Sequence, residues 1–164
     1  MIKVLLATSA ALALCGCMSL SRSSTVTAIP TGDAAQLKVS EIRLTVADGV
    51  KVSPKFDDIF RQHVQAKLDG CAKGKRPVRL EAKVDRLDKS NAVMTAIVAG
   101  ANVLRGSARL VDVNSGAVVA DYKVGQTVVG RSVAVVVMAK AEEELSDGFG
   151  DELCKQAFPT LVAK

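Results

Sequence analysis

Residues 77–88 read PVRLEAKVDRLD, a stretch in which apolar and charged side chains alternate. The apolar side chains occupy every second position: Val78, Leu80, Ala82 and Val84. Charged side chains occupy the positions between them: Arg79, Glu81, Lys83 and Asp85. A period of two with one apolar and one charged face is typical of a β-strand in a sheet that is buried on one side only. A second layer must therefore cover the apolar face.

Three other segments have the two-residue period of a strand. Residues 37–46 form the first of them. Residues 102–113 and 117–128 flank the turn residues Asn114-Ser115-Gly116, which predicts a β-hairpin. Gly106, inside the first strand of that hairpin, predicts a bulge or a close approach between backbones.

Two segments have a helical period. Ser53-Pro54 predicts a helix start, and apolar side chains then recur every four residues, at Phe56, Phe60, Val64 and Leu68. From Ser132 onward a second set recurs every three or four residues: Met138, Ala141, Leu145, Phe149, Leu153 and Ala157. Gly148 and Gly150 predict a kink or a break in this second helix, because glycine destabilises a helix interior by about 1 kcal/mol relative to alanine.

The order of these elements is strand, helix, strand, strand, strand, helix. This order, βαβββα, predicts an α+β fold: a two-layer sandwich in which a four-stranded, mostly antiparallel sheet carries both helices on one face. The elements lie within residues 37–164, which is enough chain for a single domain with a hydrophobic core.

The N-terminal residues carry a different signal. Lys3 precedes an apolar run that ends at Leu14, and residues 12–20 read LALCGCMSL. A C-x-C pair is compatible with a metal site, a redox pair or a processing signal. A basic residue before about 7–15 apolar residues is typical of an export signal, and the run is too short to span a membrane. Leu14-Cys15-Gly16-Cys17 resembles the lipobox of bacterial lipoproteins.

This resemblance implies that residues 1–16 are a signal peptide and that Cys17 carries a diacylglyceryl thioether, usually with a further acyl chain such as palmitate on its amine. The alternative is an ordinary secretory signal without lipidation. Each buried CH₂ contributes about 0.8 kcal/mol, so two or three chains make a stable membrane anchor. Met18, in place of an acidic residue after the acceptor, favours the outer membrane, with the domain facing the periplasm.

Residues 17–36 comprise this cysteine and a segment rich in Ser, Thr and Ala. Such a composition without a sustained period predicts a flexible tether with a reach of roughly 25 Å. The single periplasmic domain, residues 37–164, could then stand away from the membrane.

Cys71 and Cys154 remain in the mature chain, in an oxidising compartment. A disulfide between them would close a loop of roughly 80 residues and stabilise the fold by about 4–5 kcal/mol in the loop-entropy description. A zinc site needs about four ligands, and His63 is the one histidine available. We therefore predict a disulfide and no metal.

The sequence carries little that points to catalysis or to a cofactor. His63 has no G-x-S-x-G or comparable frame around it, and a partly exposed helical histidine is the favoured interpretation. The acidic residues near the second helix lack the pattern of a calcium loop: Glu142, Glu143, Glu144, Asp147, Asp151 and Glu152. One Tyr, four Phe and no Trp leave little for stacking sugars or bases. We expect no cofactor and no nucleic-acid partner.

Residues 92–104, AVMTAIVAGANVL, hold no charge although they lie between two strands, where a polar loop would be expected. One interpretation makes them a buried strand extension or a short core helix. The other makes Met94, Ile97 and Val98 an exposed apolar patch that contacts another protein or the membrane surface.

The sequence is compatible with two alternative functions. The hairpin LRGSARLVDVNSGAVVADYKV, residues 104–124, before a terminal helix resembles several families of small envelope lipoproteins with an α/β sandwich domain. That resemblance implies a non-enzymatic binding or assembly accessory factor with an envelope protein partner. The alternative is a hydrolase acting on cell-envelope material. We favour the accessory factor and predict that the protein is not an enzyme.

Replacing the lipid acceptor gives the first test. Cys17→Ala should abolish lipidation, because the other cysteines lack a lipobox that places them at the acceptor position, whereas Cys15→Ala should have little effect. Incorporation of radiolabelled palmitate into the protein in growing cells measures both. Wild-type incorporation into the Cys17→Ala protein would show that the acceptor is another residue.

Overall fold

The computed structural model describes residues 18–30, 32–89, 100–130 and 140–159. Its strands are β1 (Met18–Ser21), β2 (Ser24–Thr27), β3 (Leu37–Val46), β4 (Arg76–Asp88), β5 (Gly100–Asp112) and β6 (Val118–Gly130). Its helices are α1 (Phe56–Cys71) and α2 (Ala141–Ala157), and a short 3-10 turn spans Ala34–Gln36. Neither described helix combines the length and the apolar character that crossing a membrane requires.

The strands form one mixed, six-stranded sheet. Its order is β1-β6-β5-β4-β3, and β2 also pairs with β6. The β3–β4 pair is parallel, because α1 carries the chain back before β4 begins, and the remaining pairs are antiparallel. The α+β class with two helices is thus confirmed, whereas the four-stranded sheet was wrong.

The two additional strands come from the segment whose composition predicts a flexible tether. Residues 18–21 and 24–27 pair antiparallel with the outer edge of β6, with one register shift between Thr25 and Thr27. A strand at a sheet edge is held by backbone hydrogen bonds, which need no apolar alternation in its sequence. For this reason the segment lacks the apolar alternation by which the other strands are predicted.

Both helices pack on the apolar face of the sheet. Every second side chain of β4 is buried there, as the alternation predicts: Val78, Leu80, Ala82 and Val84. The aromatic rings of α1 and α2 meet above them, with Phe60 and Phe149 ring centroids 5.0 Å apart. The opposite face carries the charged side chains of β4, where Arg79 pairs with Glu81 at 2.8 Å and Lys83 with Asp85 at 2.9 Å.

α2 is one helix through Gly148 and Gly150, so the predicted break into two helices was wrong. The glycines are needed for close packing. A Cβ atom at Gly150 would lie 2.7 Å from Cβ of Lys67 on α1, and one at Gly148 would lie 2.6 Å from Cγ of Gln126 on β6. Packing of the helix against its neighbours therefore offsets the low helix propensity of glycine.

Two irregularities adjust the sheet register. The β4–β5 ladder shifts between Val84 and Arg86, next to Gly106, where a Cβ atom would lie 2.2 Å from the Lys83 carbonyl oxygen. The glycine therefore marks both a bulge and a close backbone approach, as predicted. A second shift, near Val111, leaves Val118 55% exposed instead of on the inner face with its neighbours.

A disulfide joins the C-terminal ends of the two helices. Cys71 is the last residue of α1, Cys154 lies in the last turn of α2, and their Cα atoms are 5.8 Å apart. The bond links residues 83 positions apart. It therefore fixes the helix pair at the C-terminal ends of both helices.

Candidate anchor and docking surfaces

The predicted site residues differ in what the structure describes of them. Cys17 and the patch residues Met94, Ile97 and Val98 lie outside the described residues. The chain on either side of the patch is described, at Lys89 and at Gly100. Of the uncharged segment 92–104, the part from Gly100 belongs to β5, and Asn102 and Leu104 are buried.

We call residues 18–27, which contain β1 and β2, the strap. Met18 pairs with Val129 and Ser21 with Gln126, and after a short crossing Ser24 pairs with Lys123. Beyond the strap, the Ile29 N–H donates to the Tyr122 hydroxyl at 3.4 Å. The chain therefore follows the edge of β6 from the residue after the predicted lipid acceptor.

Side chains and backbone fasten the strap at its middle. The Ser21 hydroxyl donates to Glu152 of α2 at 2.5 Å, and Glu152 also binds Lys155 at 2.9 Å. The Arg22 N–H donates to the Gly125 carbonyl at 2.8 Å, and the Gly125 N–H donates to the Ser23 hydroxyl at 3.0 Å. A Cβ atom at Gly125 would lie 2.6 Å from the Arg22 carbonyl oxygen. Glycine on β6 thus lets the strap approach this closely.

The sheet register brings several chain ends together. Gly100 pairs with Gly130, Met18 with Val129, and Asp88 with Val103 a few residues further along. We call this end of the domain, where β1 begins and β4 and β6 finish, the anchor end. The disulfide and the β5–β6 turn at residues 113–117 lie at the opposite end.

A buried carboxylate ties three elements together at the anchor end. Glu142, in the first turn of α2 and 5% exposed, accepts hydrogen bonds from the Ser53 N–H at 2.9 Å and the Ser53 hydroxyl at 2.5 Å. Lys89, just beyond β4, pairs with the same carboxylate at 2.9 Å. Burial by itself would raise the pKa of Glu142, but the bonds from Ser53 and Lys89 outweigh burial and lower it. Ser53 was predicted to cap α1. Its side chain binds Glu142 of α2 instead.

A second carboxylate held by hydrogen bonds, that of Asp112, lies at the opposite end of the domain. Asp112 finishes β5 and accepts hydrogen bonds from the Ser115 N–H at 2.8 Å and from Arg76 at 2.7 Å. These bonds, the one from Ser115 first, lower the pKa of Asp112 to about 2. The turn and the start of β4 are thereby held together near the disulfide.

The exposed sheet face has an ordered row of alternating charges. The pairing register aligns Arg43 of β3 with Glu81, Glu81 with Arg109, and Arg109 with Asp121. Arg109 and Asp121 are 3.7 Å apart. Because neighbours in the row have opposite signs, this face offers a partner little unpaired charge and little apolar area.

The two edges of the sheet differ. The strap covers the β6 edge, whereas within the part of the chain that the structure describes β3 pairs with β4 alone. The first residues of β3 are irregular, with a register shift between Val39 and Glu41, and the Val39 carbonyl accepts from Gln65 at 3.1 Å. Residues 41–46 are regular, and we call them the open edge.

One hydrogen bond shows which backbone N–H groups of the open edge point toward β4 and which point away from it. The Ala47 N–H donates to the Val84 carbonyl of β4 at 2.9 Å. Since backbone groups alternate in direction along a strand, the N–H groups of Leu44 and Val46 face away from β4. They are positioned to pair with a further strand.

His63 makes a contact between the helices. Its Nδ1 lies 3.1 Å from an Asp147 carboxylate oxygen on α2, and Lys67 pairs with Asp151 one turn further along. In the described ranges no hydroxyl or thiol group forms a hydrogen bond with the histidine ring, and no cluster of three potential metal ligands occurs among the same residues. These contacts favour a role for His63 in packing α1 on α2.

The sequence matches no known family and no curated protein. Solved structures are similar in fold. PelC from Paraburkholderia phytofirmans, which forms a dodecamer, has a TM-score of 0.50 at 17% identity, covering 85% of this chain and 99% of PelC. A Xanthomonas campestris protein of the DUF330 family has a TM-score of 0.52 at 15% identity, covering 84% of this chain and 91% of its own. At these identities the likeness concerns the fold.

Sequence reasoning missed the strap, the open edge and the Glu142 contacts. The Thr and Val residues of β2, STVT, favour strands, and this was the one local signal for the strap. The acidic pattern near α2 gave no sign of the Glu142 contacts, because Ser53 and Lys89, which bind its carboxylate, are distant in sequence.

Removing the charge of Glu142 should weaken the anchor end. Because its pKa is lower in the folded chain than in the unfolded one, the ionised carboxylate stabilises the fold above about pH 4, and this contribution is lost as the pH falls through the folded-state pKa. Glu142→Gln should therefore reduce the free energy of unfolding at pH 7 by about 1–3 kcal/mol. Urea denaturation from pH 7 to pH 3 should show the difference from wild type shrinking.

Glu144→Gln is the matched control, since Glu144 is exposed in the same turn. It should change the stability by no more than a few tenths of a kcal/mol. An equal loss in both variants would show that the Ser53–Glu142–Lys89 contacts do not stabilise the domain.

Proposed function

We propose that this protein is a lipid-anchored envelope protein that works by docking to other protein chains and not by catalysis. Cys17 carries the lipid, and the domain lies in the periplasm at the outer membrane. The lipobox resemblance of Leu14-Cys15-Gly16-Cys17 supports the anchor. The observation that carries the docking function is the difference between the two edges of the sheet.

The open edge is suited to a further strand. Six residues of regular strand extend roughly 20 Å, and their outward backbone groups have no strand beside them in the described part of the chain. The irregular start of β3 and its exposed Lys38 restrict pairing to residues 41–46. Restricted pairing of this kind favours one defined partner over indiscriminate association.

A second copy of this chain is the partner we propose. The strap presents its own outer edge on the far side of the sheet, so the open edge of one copy can meet the strap of the next. Contacts between two different surfaces of identical chains generate rings when the rotation closes. PelC, which has a similar fold, forms a dodecamer, and this supports self-association of many copies as a property that the fold can have.

The uncharged patch remains a second candidate contact. Met94, Ile97 and Val98 follow Lys89 and precede Gly100, so the chain enters and leaves the patch at the anchor end. Covering apolar side chains there would contribute about 25 cal/mol per Å² of buried apolar area. The hydrolase alternative is less well supported, because His63 contacts Asp147 in the packing of two helices.

A proline on the open edge tests self-association. Leu44→Pro removes an outward N–H group and leaves the backbone bonds to β4 in place, whereas Leu44→Ala truncates the same side chain and keeps the N–H. In the lipid-free Cys17→Ser background, light scattering after size-exclusion chromatography should give an oligomer for the parent and for Leu44→Ala. Leu44→Pro should be a folded monomer with its disulfide intact.

Circular dichroism checks that both variants fold. A folded parent that is monomeric at all concentrations accessible to light scattering would contradict self-association. An oligomer that survives Leu44→Pro unchanged would show that copies associate through a surface other than the open edge.

A further inference from the structure

The strap leaves almost no free chain between the lipid and the domain. Met18 is paired with Val129, and Cys17 is its immediate neighbour in the sequence. Consecutive Cα atoms are about 3.8 Å apart in any chain. A flexible segment of residues 18–36 would instead have a reach of roughly 25 Å. The length of free chain decides whether the anchor also orients the domain.

The strap is held over its length by more than the first pair. Register contacts continue to Asp121, and the hydrogen bonds at Glu152 and Gly125 fix the crossing between β1 and β2. Separating the strap from β6 would expose these backbone groups and break the Ser21–Glu152 bond. An acyl group on Cys17 is therefore joined directly to the folded sheet.

We infer that the anchor end of the domain lies against the lipid surface and that the strands run from there into the periplasm. This inference rests on the proposed lipidation of Cys17. Its partner is the phospholipid surface itself, selected by covalent geometry and not by headgroup charge. Attachment should consequently be insensitive to salt.

This orientation sets how far the β5–β6 turn lies from the membrane and which way the two edges of the sheet face. β6 has thirteen residues, each advancing the strand by about 3.3 Å, so the turn at Asn114 lies roughly 40 Å from the anchor end. The open edge and the strap face sideways, toward other copies on the same membrane.

Fluorescence quenching measures the orientation. A small fluorophore is attached at Lys140→Cys, exposed just before α2 at the anchor end, or at Asn114→Cys, exposed in the distant turn. The acylated full-length protein is reconstituted in phosphatidylcholine vesicles that contain a nitroxide headgroup lipid. Quenching should be several-fold stronger at position 140 than at position 114, and high salt should not change this ratio.

Gly125→Ala tests whether the strap sets the orientation, because the added Cβ atom displaces the Arg22 backbone. It should reduce the difference between the two positions. Gly70→Ala, whose Cβ atom would meet nothing within 4 Å, should retain the parent ratio. Should Gly125→Ala fail to fold, the ratio in the parent protein still decides the inference.

Two measurements distinguish failure of the proposed lipid anchor from failure of the proposed orientation. Mass spectrometry of the N-terminal peptide reports whether Cys17 is acylated. Acylated protein with equal quenching at the two positions overturns the orientation and leaves the proposed anchor standing. Protein without acyl chains overturns both.

Discussion

The pairing of β1 and β2 with the outer edge of β6 sets how the N-terminal chain joins the domain. It makes the residues after Cys17 part of the sheet and places them along the β6 edge, whereas in the described part of the chain β3 has a neighbouring strand on one side only. Because the bonds are between backbone groups, Ser- and Thr-rich sequence can form them. With the proposed lipid on Cys17, the same pairing would attach the sheet directly to the anchor instead of through a flexible tether.

Packing of the helices on the sheet holds β6 in place. The helices cover one sheet face, with Phe60 and Phe149 in contact, and glycines of α2 allow close approach to α1 and β6. The disulfide fixes the helices at one end, and the Glu142 contacts fix them at the other. β6 is thereby a firm support for the strap, and the opposite face remains a self-paired charged surface that has little to offer a partner.

Several strands, a helix and a turn could be predicted because each has a pattern within a short stretch of sequence. The alternation of residues 77–88, the four-residue period from Phe56 to Leu68 and the Asn114-Ser115-Gly116 turn indicated elements that the structure contains. The strap and the continuous α2 could not be predicted in this way. Strap pairing depends on an edge contributed by β6, and Gly148 and Gly150 are favoured by contacts with Gln126 and Lys67, all distant in sequence.

Amide hydrogen exchange of the lipid-free domain reports whether the strap is paired with β6. The Arg22 amide, which donates to the Gly125 carbonyl, should exchange much more slowly than in an unfolded peptide of the same sequence. Its neighbours along β1 and β2 should show alternating protection. Exchange throughout residues 18–27 at the unfolded rate, while the central amides of β6 remain protected, would contradict the account, because the segment would then be the flexible tether that its composition suggests.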